Sequence, residues 1–272
     1  MLDRPRVMGI LNITPDSFYP GSRVEDERNL IVRAEQMLAE GADFLDIGGY
    51  SSRPGAAHVS EEDELKRVLP AIRILARELP HAWLSIDTVR ARVAAEAVEA
   101  GAALVNDISA GQLDGAMLAT VARCQVPYLA MHMRGTPQTM QEQTQYENLV
   151  YEIVDYFHRT LAACQQAGIC DVLIDPGFGF AKTVNQNYTL LACLERLHVL
   201  AVPVAVGLSR KSMVWRTLGT DAAGALNGTT ALHMVALQKG ADILRVHDVK
   251  AAVETVTLFL QVESAAAHTE MM

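Results

Sequence analysis

Short apolar runs along this chain are repeatedly followed by polar residues. Val172-Leu173-Ile174 leads directly into Asp175, and Ile243-Leu244 leads into Arg245-Val246-His247. Apolar runs of this length, bounded by turn residues and alternating with helical patterns, are typical of buried strands in a parallel sheet. The pattern therefore predicts β-strands whose carboxyl ends carry polar side chains.

The hydrophobic pattern predicts eight strands, near residues 7–12, 43–47, 83–86, 103–106, 127–131, 171–174, 203–206 and 242–246. Helices are expected near 27–40, 60–78, 89–100, 114–124, 146–167, 186–196, 211–218, 222–238 and 249–263. Because eight β-then-α units favour a closed barrel over an open doubly wound sheet, we predict an α/β protein with a (β/α)8 TIM barrel. No linker divides the chain, so residues 1–272 are expected to form one domain with a frayed tail after about residue 264.

A weak internal repeat supports this organisation. The segment Glu40-Gly41-Ala42-Asp43 resembles Lys239-Gly240-Ala241-Asp242, and variants occur at Ala100-Gly101 and Ala167-Gly168. In each case a helical pattern ends at glycine, which tolerates the left-handed conformation after a helix, and a strand follows almost at once. These segments are predicted to be the joints between helices and strands.

Composition narrows the class of protein. Half of the 272 residues are hydrophobic, which suits a large aliphatic core, and the net charge of −9 argues against general nucleic-acid binding. A small anionic substrate is still compatible, because a few converging cations can dominate locally. We see no signal peptide and no apolar run near the roughly 18 residues of a membrane span, so a cytoplasmic protein is expected.

The cysteines lack the CxxC spacing of common zinc sites. We interpret Cys124, Cys164, Cys170 and Cys193 as reduced residues of a cytoplasmic protein, with a zinc site as the minor alternative.

Acidic and amide side chains follow several predicted strands. The strand ends of a (β/α)8 barrel share one rim, so Asn12, Asp87, Asn106 and Asp175 are expected to meet there. The amide oxygen of Asn12 suits a hard cation such as Mg²⁺, although Asn also favours turns. Asp87 has the alternative role of a helix N-cap.

Cations follow the seventh and eighth predicted strands. In Ser209-Arg210-Lys211-Ser212, Ser209 is a candidate N-cap, and cations in a first helical turn oppose the helix dipole, which suggests an anionic partner. Arg245 and His247 share one strand face and suit phosphate or diphosphate, with a salt bridge to Asp248 as the alternative. His132, after the fifth strand, is interpreted as structural rather than catalytic.

Together these segments resemble the bacterial dihydropteroate synthases over about residues 7–250. The resemblance rests on ordered motifs, each weak alone, which are Gly9 to Phe18, Gly48-Gly49, Ser51 to Gly55, Ser85 to Thr88, Asn106 to Ile108, Met131 to Met133, Asp175 to Phe180, Ser209 to Ser212 and Arg245 to Lys250.

The resemblance implies condensation of 6-hydroxymethyl-7,8-dihydropterin diphosphate with 4-aminobenzoate, giving 7,8-dihydropteroate and diphosphate. It also implies Mg²⁺ dependence, an SN1-like mechanism, a homodimer and inhibition by sulfonamides.

Site residues follow from the same resemblance. It implies catalytic roles for Arg53, Asp87 and Lys211. The implied pterin ligands are Asp87, Asn106, Asp175 and Lys211, and the implied diphosphate ligands are Asn12, Arg53, Arg245 and His247. Those for aminobenzoate are Phe18, Ser52, Pro54, Arg210 and Ser212, and Asn12 is the implied metal ligand.

Two departures and two alternatives accompany the resemblance. Tyr50 stands where a small or acidic residue is expected, and Tyr19 to Arg23 replace a commoner acidic, glycine-rich run. One alternative is the methyltetrahydrofolate-binding barrel of corrinoid methyltransferases, which would not need the cations after strands seven and eight. The other is a catalytically idle pterin-binding paralogue.

Overall fold

Parallel strands surrounded by helices make up the computed structural model, which describes residues 2–13, 23–50 and 59–270. The strands are β1 (Arg6–Asn12), β2 (Phe44–Gly48), β3 (Trp83–Asp87), β4 (Leu104–Asp107), β5 (Tyr128–Met131), β6 (Val172–Asp175), β7 (Ala205–Val206) and β8 (Ile243–Val246). The α-helices are α1 (Arg23–Ala39), α2 (Glu61–Glu78), α3 (Ala91–Glu99), α4 (Met117–Cys124), α5 (Leu149–Ala167), α6 (Val184–Ala192), α7 (Ser212–Leu218), α8 (Leu226–Gln238) and α9 (Val249–Glu270).

The strands pair in the order β6-β5-β4-β3-β2-β1-β8-β7. An isolated parallel bridge between Ile174 and Val204 joins the two outer strands, and Ile174 N–H donates to the Pro203 carbonyl at 3.0 Å. The ring is thereby completed, as predicted for a single (β/α)8 barrel. The predicted strand at 203–206 is reduced to Ala205–Val206, because proline has no N–H for a ladder.

The barrel interior is filled by apolar side chains from the first residues of the strands. This inner cluster is buried to 8% exposure or less and consists of Met8, Leu104, Leu129, Leu173, Ala205 and Ile243. A larger aliphatic cluster fills the layer between the sheet and the helices. Apolar groups thus occupy the amino-terminal part of the barrel interior.

Local signals begin and end the helices that carry the barrel. The Thr183 hydroxyl accepts from the N–H of Gln186, whose side chain reaches back to Thr183 N–H, so α6 begins with a capping box. At the carboxyl end of α5, Gly168 has a φ of 90°, and its backbone N–H donates to the carbonyls of Cys164 and Gln165. This left-handed cap confirms the glycine joint predicted there.

Further element boundaries differ from the prediction. The helix expected at 186–196 is two elements, α6 and a 3-10 helix at Leu194–Leu200, and the one expected at 222–238 opens with a 3-10 turn at Ala223–Ala225. α9 continues to Glu270, beyond residue 264, after which the tail was expected to fray. The alanines at 265–267 have the highest helix propensity and account for this extension.

Within the described ranges, no helix is both long enough and apolar enough to span a membrane.

Candidate active site

Four strand ends lie at one level on the carboxyl-terminal rim of the barrel. Asn12 is paired in register with Gly48, Gly48 with Asp87, and Asp87 with Asn106. The side chains predicted to meet at this edge are therefore brought together, although the first and last are far apart in sequence. Asn12 is exposed to solvent, whereas Asn106 is buried.

A buried ionic network lies beside this row, and Arg245 is at its centre. The Nε of Arg245 donates to Oδ2 of Asp46 at 2.6 Å, and its terminal nitrogen donates to Oδ2 of Asp87 at 2.7 Å. Asn106 also donates to Oδ2 of Asp46, at 3.0 Å, and Ser85 donates to Oδ1 at 2.6 Å. One buried carboxylate thus holds three of the strand ends in fixed orientations.

Asp46 and Ser85 were not among the predicted site residues. Asp46 is fully buried and lies within the apolar strand Phe44–Gly48. A charge in such a strand is costly to bury without a partner, and that cost was the available signal. Arg245 was predicted to bind an anionic ligand. In the structure its guanidinium also has carboxylate partners within the protein, on β2 and β3.

Burial sets the charge balance of this network. It raises the pKa of Asp87 to about 7, with Arg245 opposing the shift and Asp46 adding to it. Burial alone would lower the pKa of Arg245, but the carboxylates of Asp46 and Asp87 hold it above its ordinary value. The Oδ1 atom of Asp87 is buried, and among the described residues it has no hydrogen-bond partner. That oxygen is therefore available to accept from a ligand.

Asp175 and Lys211 face each other across Gly207. A Cβ added to Gly207 would lie 3.6 Å from Nζ of Lys211 and 3.8 Å from Oδ2 of Asp175. Burial raises the pKa of the Asp175 carboxyl, with Lys211 opposing, and burial lowers the pKa of Lys211 to about 8, with Asp175 opposing. The absence of a side chain at residue 207 leaves room for an acceptor and a donor to approach the same ligand edge.

The loop after β6 lies against this pair. Lys211 Nζ donates to the carbonyl of Phe178 and stands 4.8 Å from the ring centre of Phe180. Oδ1 of Asp175 accepts from the N–H of Gly177 at 2.7 Å. These contacts place a flat aromatic surface next to a donor and an acceptor.

The segment between β7 and α7 differs from the prediction. Ser209 was expected to cap the helix, but α7 begins at Ser212 with Lys211 as its N-cap residue. The hydroxyl of Ser209 instead accepts from the backbone N–H of His247 at 3.1 Å and lies 3.1 Å from its Nδ1. Lys211 therefore precedes the helix, and its side chain points to the loop after β6.

Arg210, a predicted aminobenzoate ligand, uses most of its side-chain donors within the protein, and its role in ligand binding stays a prediction. Its backbone is left-handed, with a φ of 53°, and its guanidinium binds both carboxylate oxygens of Asp248 at 2.8 Å. Two further bonds go to the carbonyls of Ala222 and Ala223. Since four of the five guanidinium donors are used within the protein, Arg210 bridges the β7 loop to the start of α9. Asp248 pairs with Arg210, and Arg245 pairs with Asp46 and Asp87 rather than with Asp248, the alternative considered for it.

Several predicted ligands lie outside the described residues. They are Phe18, Ser52, Arg53 and Pro54, so their predicted roles in binding aminobenzoate and diphosphate stay predictions. Tyr50 is the last described residue before residues 51–58. Its hydroxyl is buried and, among the described residues, has no hydrogen-bond partner. Burial, with Asp87 next in effect, raises the pKa of this phenol.

The cysteines are free thiols, as expected. In the part of the chain that the structure describes, no three histidine, cysteine or acidic side chains lie close enough to hold a metal ion by themselves. The zinc alternative therefore has no support among these residues.

A (β/α)8 barrel with buried acids, amides and cations gathered at its carboxyl-terminal rim has the architecture of a barrel enzyme. Residues 8–247 match the family model described as pterin binding enzyme. The chain therefore belongs to the pterin binding enzyme family, in agreement with the resemblance seen in the sequence.

Curated relatives carry a more specific name. The dihydropteroate synthase of Escherichia coli (strain K12) is 43% identical over 257 residues, which cover 94% of this chain and 90% of the relative. The dihydropteroate synthase of Synechocystis sp. is 45% identical over 251 residues, which cover 91% and 86%.

Solved structures give the same family. Yersinia pestis dihydropteroate synthase in complex with a sulfonamide drug superposes with a TM-score of 0.90 at 44% identity, covering 97% of this chain and 96% of that one. The Xanthomonas albilineans enzyme with 4-aminobenzoic acid gives 0.88 at 42% identity, covering 96% and 94%. The same enzyme with 7,8-dihydropteroate gives 0.85 at 39% identity, covering 97% and 95%.

Proposed function

We propose that this chain is a dihydropteroate synthase. It would join 6-hydroxymethyl-7,8-dihydropterin diphosphate to 4-aminobenzoate and release 7,8-dihydropteroate and diphosphate. The amine nitrogen of aminobenzoate forms a bond to the pterin methylene carbon, the bond from that carbon to the diphosphate oxygen breaks, and the amine loses a proton.

The observation that carries the proposal is the arrangement of Asp175 and Lys211 on either side of Gly207. The pterin aminopyrimidinone edge presents adjacent donors and acceptors. A carboxylate can accept two N–H bonds from it, an ammonium can donate to its carbonyl, and the amide of Asn106 can do both. Such pairing would discriminate strongly between pterins and analogues, because unpaired polar groups are costly to bury.

Departure of diphosphate is the proposed difficult step. We place the diphosphate against Asn12, Arg53, Arg245 and His247, where cations would stabilise the negative charge that grows as the C–O bond breaks. The mechanism would be SN1-like. The carboxylates of Asp87 and Asp175 would favour the positive charge that develops on the pterin.

Mg²⁺ fits the donor set at the end of β1. The side chain of Asn12 is exposed and hydrogen-bonds to none of the described residues, so its amide oxygen is available to a hard cation. Mg²⁺ keeps several waters and needs few protein ligands, which agrees with a single amide donor. When bound, the ion would neutralise charge on the leaving diphosphate.

The second substrate and the assembly are also proposals for this chain. Aminobenzoate would bind near Ser212 and the residues Phe18, Ser52 and Pro54, and sulfonamides would compete there. The relatives solved with 4-aminobenzoic acid and with a sulfonamide support binding of these two kinds of ligand. We further propose a cytoplasmic homodimer.

The test is direct turnover. Purified protein is supplied with both substrates and Mg²⁺, and release of diphosphate is measured together with 7,8-dihydropteroate. We expect both products in equal amounts and complete loss of both in EDTA, with recovery on adding Mg²⁺. A protein that binds the pterin diphosphate but forms neither product would be the idle paralogue.

The methyltransferase alternative predicts a different ligand. It requires methyltetrahydrofolate binding and no use of diphosphate. Tight binding of methyltetrahydrofolate together with absence of diphosphate release would overturn the proposed reaction.

A further inference from the structure

Lys182 is a buried cation that the proposed reaction does not use. Its side chain is only 3% exposed, and Nζ lies 3.0 Å from three partners. Two are the carbonyls of Gly177 and Phe180, and the third is Nδ1 of His132. Burying a lysine without an acidic ion-pair partner is costly, so these contacts need an explanation beyond core packing.

The carbonyls that Lys182 binds belong to the loop between β6 and α6. The same loop carries Gly177, whose N–H donates to Oδ1 of Asp175, and Phe180, whose ring faces Lys211. Lys182 therefore contacts the two residues through which the loop orients the pterin-facing groups.

The loop has little freedom to take another shape while these contacts exist. Gly177 has a φ of 71°, and a Cβ there would lie 2.1 Å from the carbonyl oxygen of His132. The backbone thus passes directly against the end of β5. Phe180 N–H donates to the Gly177 carbonyl at 3.1 Å, so the two carbonyls that Lys182 binds are the ends of one tight turn.

Two other side chains bind the residues between these carbonyls. Asn187 accepts from Gly179 N–H at 2.7 Å, and Lys211 donates to the Phe178 carbonyl. Lys211 reaches the loop from the ligand side. Lys182 binds the carbonyls at both ends of the same turn.

We propose that Lys182 is a positioning residue for the pterin site, which fixes the turn from Gly177 to Phe180 and, through it, the Asp175 carboxylate and the Phe180 ring. The proposal rests on the function proposed above and names a residue that acts without touching the substrate.

The protonation state of Lys182 does not change its action on the turn. Burial lowers its pKa well below the ordinary value, while Asp175 opposes the shift. An ammonium has three donors and a neutral amine has two, so both carbonyls are satisfied in either state. Burial, with Lys182 next, also lowers the pKa of His132, and the neutral ring can accept or donate at Nδ1.

The test compares two Lys→Met variants of the 272-residue chain. Lys182→Met keeps the volume and removes all the donors, and Lys66→Met alters an exposed lysine on α2. Calorimetry measures binding of 6-hydroxymethyl-7,8-dihydropterin and, separately, of inorganic diphosphate with Mg²⁺. For Lys182→Met we expect pterin binding at least tenfold weaker and diphosphate binding within twofold of wild type. Lys66→Met should match wild type for both ligands.

Turnover and exchange give the second readout. In Lys182→Met, KM for the pterin diphosphate should rise with a smaller change in kcat, and amides of residues 177–180 should exchange faster with deuterium. Should Lys182→Met fail to fold, Lys182→Gln, which keeps two N–H donors on a shorter chain, is measured in the same way and should also lose pterin affinity selectively.

Three outcomes would overturn the proposal. They are pterin affinity within twofold of wild type, equal losses for pterin and diphosphate, and unchanged exchange at the turn. If wild-type protein itself fails to bind the pterin, the proposed function fails as well. If the wild-type protein turns over and Lys182→Met binds the pterin as tightly as wild type does, only the role of Lys182 is refuted.

Discussion

Arg245 and Asp46 form an ion pair of 2.6 Å between β8 and β2, the two strands that flank β1, although 199 positions separate them in the sequence. The carboxylate is fully buried and the arginine side chain is 22% exposed. The pair connects β2 to β8, and Asn106 and Ser85 also donate to the Asp46 carboxylate. Because every partner comes from a different strand, the pair fixes the relative positions of four strand ends.

Removing the carboxylate should destabilise the protein strongly. Asp46→Ala leaves Arg245 in the barrel with one acidic partner fewer and leaves two polar donors unpaired. Breaking a buried pair in this way costs about 3–5 kcal/mol. Urea denaturation of the variant and wild type measures the difference in free energy of unfolding.

A matched control is available on the surface. Asp155 pairs with Arg159 at 2.8 Å on α5, and their side chains are 44% and 72% exposed. Asp155→Ala should cost less than about 1 kcal/mol, because solvent screens such pairs. Equal losses in the two variants would show that the Asp46 pair is no stronger than a surface one.

Much of the barrel could be predicted from the sequence, and the reason is local. Runs such as Val172–Ile174 and glycine joints such as Gly168 report on residues within a few positions of one another. Placement of Asp87, Asn106 and Asp175 at one rim followed from the parallel topology alone.

The parts that could not be predicted depend on side-chain partners distant in sequence. The pairing of Arg210 with Asp248, 38 positions away, is one example. Asp46 and Lys182 were missed because their roles depend on the groups that they bind. Those groups cannot be identified from the residues next to them in the sequence. Ser209 follows the same rule, since its hydroxyl serves His247 rather than the next helix.

Asp175→Asn tests the pterin pocket. The change replaces an acceptor by a group that also donates, so one pterin N–H and the Gly177 N–H compete for a single acceptor oxygen. A mispaired buried polar group costs about 1–3 kcal/mol, and kcat/KM for the pterin diphosphate should fall roughly tenfold to a hundredfold. Steady-state kinetics of diphosphate release provide the measurement.

The control for that variant is at the other end of the same strand. Asp171 precedes β6 and its side chain is exposed. Asp171→Asn makes the same chemical change away from the rim, and its kcat/KM should stay within twofold of wild type. An Asp175→Asn enzyme that is as active as Asp171→Asn would remove Asp175 from the site.

Asp87 should make stability depend on pH. Its pKa of about 7 lies above the ordinary value of 3.8, so between those values the native protein holds a proton that the unfolded chain has released. The contribution of this group to stability is present at low pH and is lost as pH rises through about 7. Asp87→Asn is neutral throughout. Its free energy of unfolding, relative to wild type, should therefore rise by about 1–4 kcal/mol between pH 4 and pH 7.5. A difference that does not change with pH, in denaturation curves over that range, would contradict the raised pKa.

His233 should have the opposite dependence. It lies on α8 with 2% exposure, and among the described residues neither ring nitrogen has a hydrogen-bond partner. Burial lowers its pKa from 6.5 to about 4, with Asp248 opposing the shift. Between those values the unfolded chain binds a proton that the native protein refuses, so stability from this group is lost as pH falls from about 6.5 towards 4.

Replacement of His233 by leucine tests that dependence and the cost of the two unpaired nitrogens together. His233→Leu cannot take up a proton, so the decline in stability between pH 7 and pH 4.5 should be about 1–3 kcal/mol smaller than in wild type. At pH 7 the variant should be as stable as wild type or more stable, because unpaired buried nitrogens are replaced by apolar atoms. His158→Leu, on the exposed side of α5, makes the same substitution where no buried nitrogen is removed. Thermal unfolding of the three proteins across this pH range is the measurement. If His233→Leu loses stability at low pH as steeply as wild type does, another group is responsible for the acid sensitivity.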